Sequence, residues 1–172
     1  MNNPSKLIVL RGPSAVGKST IAKLLHERVA NKTALIEQDH YRHVMFNNPH
    51  SELEAARQVM FAGIQAALEH GYDVITEGIL SMGKYKTYFD ALLEVHPKNN
   101  YFFYFDVSFD ETMTRHATRD KSVHFNADAM REWFERSGPT GYAGECVISQ
   151  NLTAEQAVAF VSQEAALQLK KD

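Results

Sequence analysis

One short stretch near the start of the chain carries the strongest signal, RGPSAVGKST at residues 11–20. The apolar run KLIVL at 6–10 precedes it, and a segment with apolar residues at helical spacing follows it. The spacing Gly-x-x-x-x-Gly-Lys-Ser is typical of a phosphate-binding loop, which requires a strand before it and a helix after it. The stretch therefore predicts that the protein binds the phosphates of a nucleoside triphosphate.

The residue types of this loop suit a phosphate cradle. Gly12 and Gly17 tolerate positive φ and let the backbone wrap closely around phosphate oxygens, and the following helix presents the positive end of its dipole. We expect Lys18 to reach the outer phosphates and the Ser19 hydroxyl to ligate Mg²⁺, so the predicted cofactors are ATP and Mg²⁺. The predicted nucleotide-binding residues are Gly12, Pro13, Ser14, Ala15, Val16, Gly17, Lys18, Ser19 and Thr20.

Length and composition narrow the class of protein. The 172 residues fit one domain, which we expect to span 1–172. The net charge is −3 and there is no basic run, which weighs against a nucleic-acid or membrane partner. A single cysteine excludes an internal disulfide, and no apolar run approaches the roughly 20 residues of a membrane span. We expect a cytoplasmic protein, either a monomer or a homodimer.

Short apolar runs alternate with segments of helical spacing along the chain. The predicted strands lie at 6–10, 34–36, 72–76, 101–105 and 145–148. The predicted helices lie at 19–30, 51–70, 84–95, 108–119, 127–136 and 153–169. This alternation predicts an α/β fold, a three-layer αβα P-loop NTPase architecture with a five-stranded parallel sheet. Ligands of such folds bind beyond the carboxyl ends of the strands, so the residues after each strand are the candidates for chemistry.

Three classes of phosphate-loop protein compete: a phosphotransferase, a regulatory GTPase and an ATP-driven motor or module. A GTPase usually carries Asn-Lys-x-Asp to recognise guanine, but the chain has Asn-Lys-Thr-Ala at 31–34. A motor usually carries an acidic pair after a hydrophobic strand, whereas the third strand here ends in Thr-Glu-Gly at 76–78. These two differences argue against the GTPase and against the ATP-driven motor or module.

The residues after the second strand favour the phosphotransferase. Asp39 follows that strand and is expected at the same sheet edge as the phosphate loop. A carboxylate there can accept the proton of a substrate hydroxyl while its oxygen attacks the γ-phosphate. Arg42 follows one helical turn later, so both residues are expected to face one substrate.

A second basic pair follows the fourth strand. Arg115 and Arg119 are four residues apart and so share a helix face. Arginines that close over the transferring phosphoryl group stabilise its charge, so we predict a helical lid at about 109–137, the alternative being a solvated helix surface. Glu77, after the third strand, has two interpretations: it holds Mg²⁺ through water or binds a substrate hydroxyl, or it is a buried acid satisfied by backbone amides.

In the order of these motifs the chain resembles the small P-loop kinases. That group includes the kinase domain of phage-type polynucleotide kinase, chloramphenicol phosphotransferase, zeta toxins, and gluconate and shikimate kinases. The resemblance implies that Asp39 is the general base, that Arg42 binds the substrate, and that Arg115 and Arg119 are lid arginines, one of them stacked on adenine. It also implies that the loop at 138–144 runs near the adenine.

The resulting prediction is an ATP- and Mg²⁺-dependent phosphotransferase that acts on a hydroxyl of a small molecule. The predicted catalytic residues are Lys18, Asp39, Arg115 and Arg119, with Arg119 also at the nucleotide and with Asp39, Arg42 and Glu77 at the acceptor. Two alternatives within enzymes are a 5′-hydroxyl nucleic-acid kinase and a zeta-like sugar-nucleotide kinase. A third alternative is an ATP-binding module that transfers nothing.

Overall fold

The computed structural model describes residues 5–47, 54–117, 131, 134 and 138–170. Its five strands are all parallel and lie in the order β2-β3-β1-β4-β5. The strands are β1 (Leu7–Arg11), β2 (Thr33–Glu37), β3 (Asp73–Gly78), β4 (Asn100–Asp106) and β5 (Cys146–Ser149). The predicted number of strands and their parallel direction are confirmed.

Helices cover both faces of this sheet and complete the three layers. They are α1 (Lys18–Arg28), a π-helix (His40–Met45), α2 (Glu54–Glu69), α3 (Met82–Val95), α4 (Phe109–Ala117) and α5 (Ala154–Glu164). One core cluster joins α1 and α5 to the sheet, and the other joins α2 and α3 to the opposite face. Within the described ranges, no helix is both long and apolar enough to cross a membrane.

The central strand β1 holds the phosphate loop in place. All five of its residues are fully buried, and it pairs with β3 on one side and β4 on the other. Ile8 and Leu10 pack toward α1 and α5, whereas Leu7 and Val9 pack toward α2 and α3. A strand buried on both faces needs this continuous apolar run. The chain therefore enters the phosphate loop from the most rigid position in the sheet.

The predicted end of the last helix is wrong. The spacing predicted a helix to about Leu169, but α5 ends at Glu164. The side chain of Lys6 donates hydrogen bonds to the carbonyl oxygens of Ala165 (2.8 Å) and Ala166 (2.5 Å), and Ala166 has a φ of +47°. A cation on the last carbonyls stabilises a helix end. Beyond it, Leu169 forms an antiparallel bridge with the chain after α1.

Part of the predicted lid lies outside the described residues. Helix α4 forms its first section, but Arg119 and most of the predicted helix at 127–136 fall outside the description. Of that second helix, Arg131 and Phe134 are described, and both are helical. The guanidinium of Arg131 lies 4.4 Å from the ring centre of Phe109, and the rings of Phe109 and Phe134 are 5.4 Å apart. These contacts bring Arg131 and Phe134 back against the start of α4.

Candidate active site

The phosphate loop joins β1 to α1 and depends on its glycines. Gly12 has a φ of +148°, and a Cβ there would lie 3.0 Å from the carbonyl oxygen of Phe105. Gly17 has a φ of +102° and caps α1 with no side-chain hydrogen bond. Since the first N–H groups of a helix lack partners within it, this end of α1 is suited to bind an anion.

The amine of Lys18 lies within the curve of the loop. The residue is 6% exposed, and its Nζ donates a 2.6 Å hydrogen bond to the carbonyl oxygen of Pro13, five residues earlier. The bond spans the loop, so the ammonium is held among the backbone groups that a phosphate chain would contact. Its positive charge also acts on Glu77, where it opposes the effect of burial on that carboxyl.

Glu77 and Ser19 meet at the carboxyl end of β3. The Ser19 Oγ donates a 3.0 Å hydrogen bond to Oε1 of Glu77, which is only 5% exposed. Burial raises the pKa of Glu77, although the Lys18 charge and the Ser19 hydrogen bond act in the opposite direction. The carboxyl thus lies beside the hydroxyl predicted to ligate Mg²⁺. No cluster of three or more acidic, histidine or cysteine side chains suited to a metal occurs in the part of the chain that the structure describes.

Glu77→Gln should make the nucleotide-free protein more stable at neutral pH. The pKa of Glu77 in the folded protein is raised above the ordinary value of 4.5, so the folded protein binds the carboxyl proton more tightly than the unfolded chain does. The stabilisation from this proton is fully present below pH 4.5 and is lost as the pH rises through the folded-state pKa. Glutamine removes the cost of burying the charge at pH 7 and keeps an acceptor for Ser19. Urea unfolding between pH 5 and 8 should give a higher midpoint for the variant, by an amount that shrinks toward low pH.

Glu155→Gln provides the control for that experiment. Glu155 is exposed, and a hydrogen bond from Arg28 lowers its pKa, so its charged form stabilises the fold and its loss should act in the opposite direction. A lower midpoint for Glu77→Gln at pH 7 would contradict the assignment of Glu77 as a carboxyl strained by burial.

Asp39 lies just after β2, at the N-cap position of the π-helix. Because Glu37 pairs with Glu77 in the sheet, Asp39 lies two residues beyond the strand that borders β3. Its side chain is 61% exposed, and its Oδ1 lies 3.9 Å from the Arg42 guanidinium and 3.6 Å from Nε2 of His43. The sequence predicted Arg42 beside Asp39. The contact with His43, four residues after Asp39, joins neighbours on one helix face and was not among the predicted contacts.

A buried glutamine fixes the ends of β2 and β3 next to these acids. Gln38 is 3% exposed, and its Oε1 accepts a 2.9 Å hydrogen bond from the backbone N–H of Ile79. Its Nε2 donates a 2.6 Å hydrogen bond to the hydroxyl of Tyr85 on α3. The side chain lies directly against Gly78, where a Cβ would lie 2.3 Å from Oε1 and 2.6 Å from Cβ of Gln38. No motif or periodicity in the sequence indicates this support.

Gly78→Ala should therefore damage both stability and activity. The added methyl overlaps the base of the Gln38 side chain and not only its flexible end, so the ends of β2 and β3 must separate. Overpacking of this kind costs roughly 1–3 kcal/mol. Thermal unfolding should report that loss. Gly83→Ala is the matched control, since a Cβ there meets nothing within 4 Å in the described structure. Equal midpoints for the two variants would show that Gln38 does not constrain Gly78.

Arg115 projects from α4 toward the other end of the phosphate loop. Its Nε donates to Oε1 of Glu111 (2.7 Å), and its two terminal nitrogens donate to the carbonyl oxygens of Val16 (3.3 Å) and Gln150 (3.0 Å). The arginine thus joins α4, the phosphate loop and the loop after β5. Its described contacts lie with the loop backbone and not with Asp39.

These three segments enclose a cavity of about 150 Å³ next to the phosphate loop. Its walls include Gly17, Thr20, Val107, Arg115, Ile148 and Gln150. The apolar side chains form its inner wall, and the arginine and the backbone of the loop after β5 form its rim. The loop at 138–144, which was expected near the adenine, does not line it. Instead, the carbonyl of Gly138 accepts from Arg11, and the hydroxyl of Tyr142 donates to Asp90.

The sequence of most of the chain matches a known protein family. The model of the AAA domain matches residues 7–137, which include the phosphate loop, Asp39, Glu77 and α4. The chain belongs to this AAA domain family. No curated protein sequence matches it significantly.

Several solved structures, two of them kinases, share the fold. A gluconokinase from Sinorhizobium meliloti 1021 has a TM-score of 0.68 and 20% identity over 96% of this chain and 94% of its own. The tunicamycin resistance protein of Deinococcus radiodurans gives 0.71 and 17% identity over 98% and 99%. The APS kinase of Mycobacterium tuberculosis, in complex with AMPPNP and APS, gives 0.70 and 12% identity over 95% and 98%. The chain has the fold of the small P-loop kinases.

Proposed function

We propose that this protein is an ATP- and Mg²⁺-dependent phosphotransferase that moves the γ-phosphate to a hydroxyl group of a small molecule. The observation that carries the proposal is the arrangement at one sheet edge. Lys18 and Ser19 approach Glu77 at the end of β3, and Asp39 follows the neighbouring strand. A cradle for phosphates thus lies next to an accessible carboxylate.

The chemistry assigned to these residues is a direct transfer. Asp39 takes the proton from the acceptor hydroxyl while the hydroxyl oxygen forms a bond to the γ-phosphorus. At the same time, the bond between the γ-phosphorus and the β-γ bridging oxygen breaks, and ADP leaves. Lys18 offsets the negative charge on the outer phosphates during the transfer. Asp39 is exposed enough for an acceptor to reach it, and Arg42 lies close enough to bind the same molecule.

The oxygen donors beside the loop fit Mg²⁺. The Ser19 hydroxyl would bind the ion directly, and the Glu77 carboxylate would hold it through a water molecule, which suits a hard cation that keeps part of its hydration shell. When bound, Mg²⁺ would neutralise part of the negative charge on the phosphates. This favours the metal or substrate interpretation of Glu77 over that of a purely structural acid.

We assign the adenine to the cavity beside Arg115. The planar guanidinium at its rim can stack on a base, and the apolar inner wall suits an aromatic ring. Of the two predicted lid arginines, Arg115 is therefore the one assigned to the nucleotide base, and Arg119 stays the candidate for the γ-phosphate. We also propose that residues 1–172 form one kinase domain with 109–137 as its lid.

Arg115→Ala should raise the KM for ATP more than it lowers kcat. Stacking on a base contributes about 1–3 kcal/mol, so the KM should rise roughly 5- to 150-fold. Steady-state kinetics at varied ATP will measure both constants. Arg28→Ala is the control, since Arg28 ends α1, pairs with Glu155 and does not line the cavity. If Arg115→Ala instead left the KM unchanged and lowered kcat strongly, the guanidinium of Arg115 would belong on the transferring phosphoryl group.

A panel of acceptors tests the proposed function against its alternatives. Small hydroxyl compounds, 5′-hydroxyl oligonucleotides and sugar nucleotides would each be incubated with γ-labelled ATP and Mg²⁺. We expect label on a small hydroxyl compound, because the net charge of −3 does not favour a polynucleotide channel. Label on oligonucleotides or on sugar nucleotides alone would select the corresponding alternative. Tight ATP binding with no labelled acceptor would favour the ATP-binding module.

A further inference from the structure

The phosphate loop begins directly after a fully buried arginine. Arg11 is the last residue of β1 and immediately precedes Gly12. Its relative exposure is 0%, and it is among the largest side chains that are completely buried in the described structure. Burying a guanidinium carries a large desolvation cost unless it is paired and hydrogen-bonded. Its partners therefore indicate which segments the sequence fastens to the start of the loop.

The partners of Arg11 come from three segments that are distant in sequence. One terminal nitrogen donates to the carbonyl oxygen of Gly138 (2.5 Å) and to Oε1 of Glu145 (3.3 Å). The other donates to the carbonyl oxygen of Leu80 (3.3 Å), in the turn between β3 and α3. The guanidinium also lies 5.5 Å from the ring centre of Tyr104 on β4. The arginine thus joins both strand neighbours of β1 and residues 138–145.

Residues 138–145 connect the predicted lid to β5, and we call them the post-lid segment. Glu145, whose side chain is buried, holds this segment together. Its Oε1 accepts a hydrogen bond from Arg11, and its Oε2 accepts one from the backbone N–H of Thr140 (2.6 Å). The carboxylate and Arg11 thus bind the segment near its start and at its end. Burial lowers the pKa of Arg11, while the nearby Glu145 charge opposes that shift, so the carboxylate offsets part of the cost of burying the cation.

We infer that Arg11 is a positioning residue that couples the nucleotide in the phosphate loop to the post-lid segment. The inference rests on the proposed nucleotide binding. Arg11 is one residue from the loop and is packed on all sides, so a shift at Gly12 on phosphate binding is passed to Gly138 and Glu145 and is not absorbed by solvent. By linkage, the position of the post-lid segment acts equally on the affinity of the loop for nucleotide.

Lys6, at the other end of β1, offers a matched control for Arg11. Lys6 precedes the strand, is 6% exposed and donates to the carbonyl oxygens of Ala165 and Ala166. Lys6→Met and Arg11→Met each remove a buried cation that binds carbonyl groups beside β1, and each should lower the unfolding midpoint. Only Arg11 borders the phosphate loop, so only its loss should affect coupling.

Hydrogen exchange with and without Mg²⁺ and a non-hydrolysable ATP analogue tests the inference. In the wild type and in Lys6→Met, we expect slowing at 12–19 and, by about fivefold or more, at 138–145. In Arg11→Met, slowing should persist at 12–19 and disappear at 138–145. Slowing at both segments in Arg11→Met, or at 12–19 alone in the wild type, would overturn the coupling. No slowing at 12–19 in the wild type would overturn the proposed nucleotide site, and the coupling with it.

Glu145→Gln keeps the experiment decisive if Arg11→Met does not fold. It preserves the size of the side chain and an acceptor for Thr140 but removes the charge that faces Arg11. We expect the nucleotide to slow exchange at 138–145 by several-fold less than in the wild type, with 12–19 unaffected. Full slowing at 138–145 in Glu145→Gln would overturn the role given to the pair.

Discussion

Replacing Lys18 with alanine is expected to abolish phosphoryl transfer, with kcat lower by at least about 10³-fold. The ammonium is held inside the phosphate loop by its bond to Pro13, and in the proposed reaction it offsets charge that accumulates on the outer phosphates. No other described cation occupies that position in the loop. ATP binding should weaken as well, because the lysine contacts the same phosphates in the ground state.

Lys23→Ala is the matched control for this variant. Lys23 lies on the same helix, but its side chain is 59% exposed and pairs with Glu37 at 3.6 Å. Steady-state kinetics and equilibrium ATP binding should leave Lys23→Ala near the wild type. Wild-type turnover in Lys18→Ala would mean that the Gly-x-x-x-x-Gly-Lys-Ser loop does not bind the transferred phosphate.

Asp39→Asn should lower kcat by roughly 10²–10⁴-fold, the usual contribution of general base catalysis. Asparagine keeps the size of the side chain and can still bind the acceptor hydroxyl, but it cannot take its proton. The KM for ATP should change little, since the described contacts of Asp39 are with Arg42 and His43 on the acceptor side. Steady-state kinetics at saturating acceptor will separate the two constants.

Glu37→Gln controls for the loss of a nearby negative charge. Glu37 ends β2, two residues before Asp39, and pairs with the exposed Lys23. It should retain nearly full activity. If Asp39→Asn instead weakened ATP binding strongly and turned over normally at saturation, Asp39 would belong to the metal and not to the acceptor.

The fold was predictable because its signals are local. Each of these signals involves only a few adjacent residues. They include the continuous apolar run of β1, the glycine spacing of the loop, and Gly71, with its φ of +79°, just after α2. The capping box of α5 is another such signal, in which Thr153 and Gln156 exchange hydrogen bonds. Parallel strands then bring their carboxyl ends to one edge, which placed Asp39 and Glu77 in the same region.

The support of the site was not predictable, because it consists of contacts between residues far apart in the chain. Arg11 binds Glu145 across 134 positions, and Gln38 binds Tyr85 across 47. Neither pair has a periodicity or a motif. The early end of α5 has the same origin, since Lys6 reaches the end of that helix from 159 positions away in the chain. Such contacts override a helical pattern that would otherwise continue to Leu169.

The most direct test of the account follows the γ-phosphate of ATP. Purified wild-type protein and Lys18→Ala would be given γ-labelled ATP, Mg²⁺ and a mixture of small hydroxyl metabolites, and the label would be divided between organic phosphate and free phosphate. The account predicts label on an organic product with wild-type protein and Mg²⁺, and none with Lys18→Ala or with the metal chelated. Label that reaches only free phosphate under every condition would contradict the assignment of this protein as a phosphotransferase.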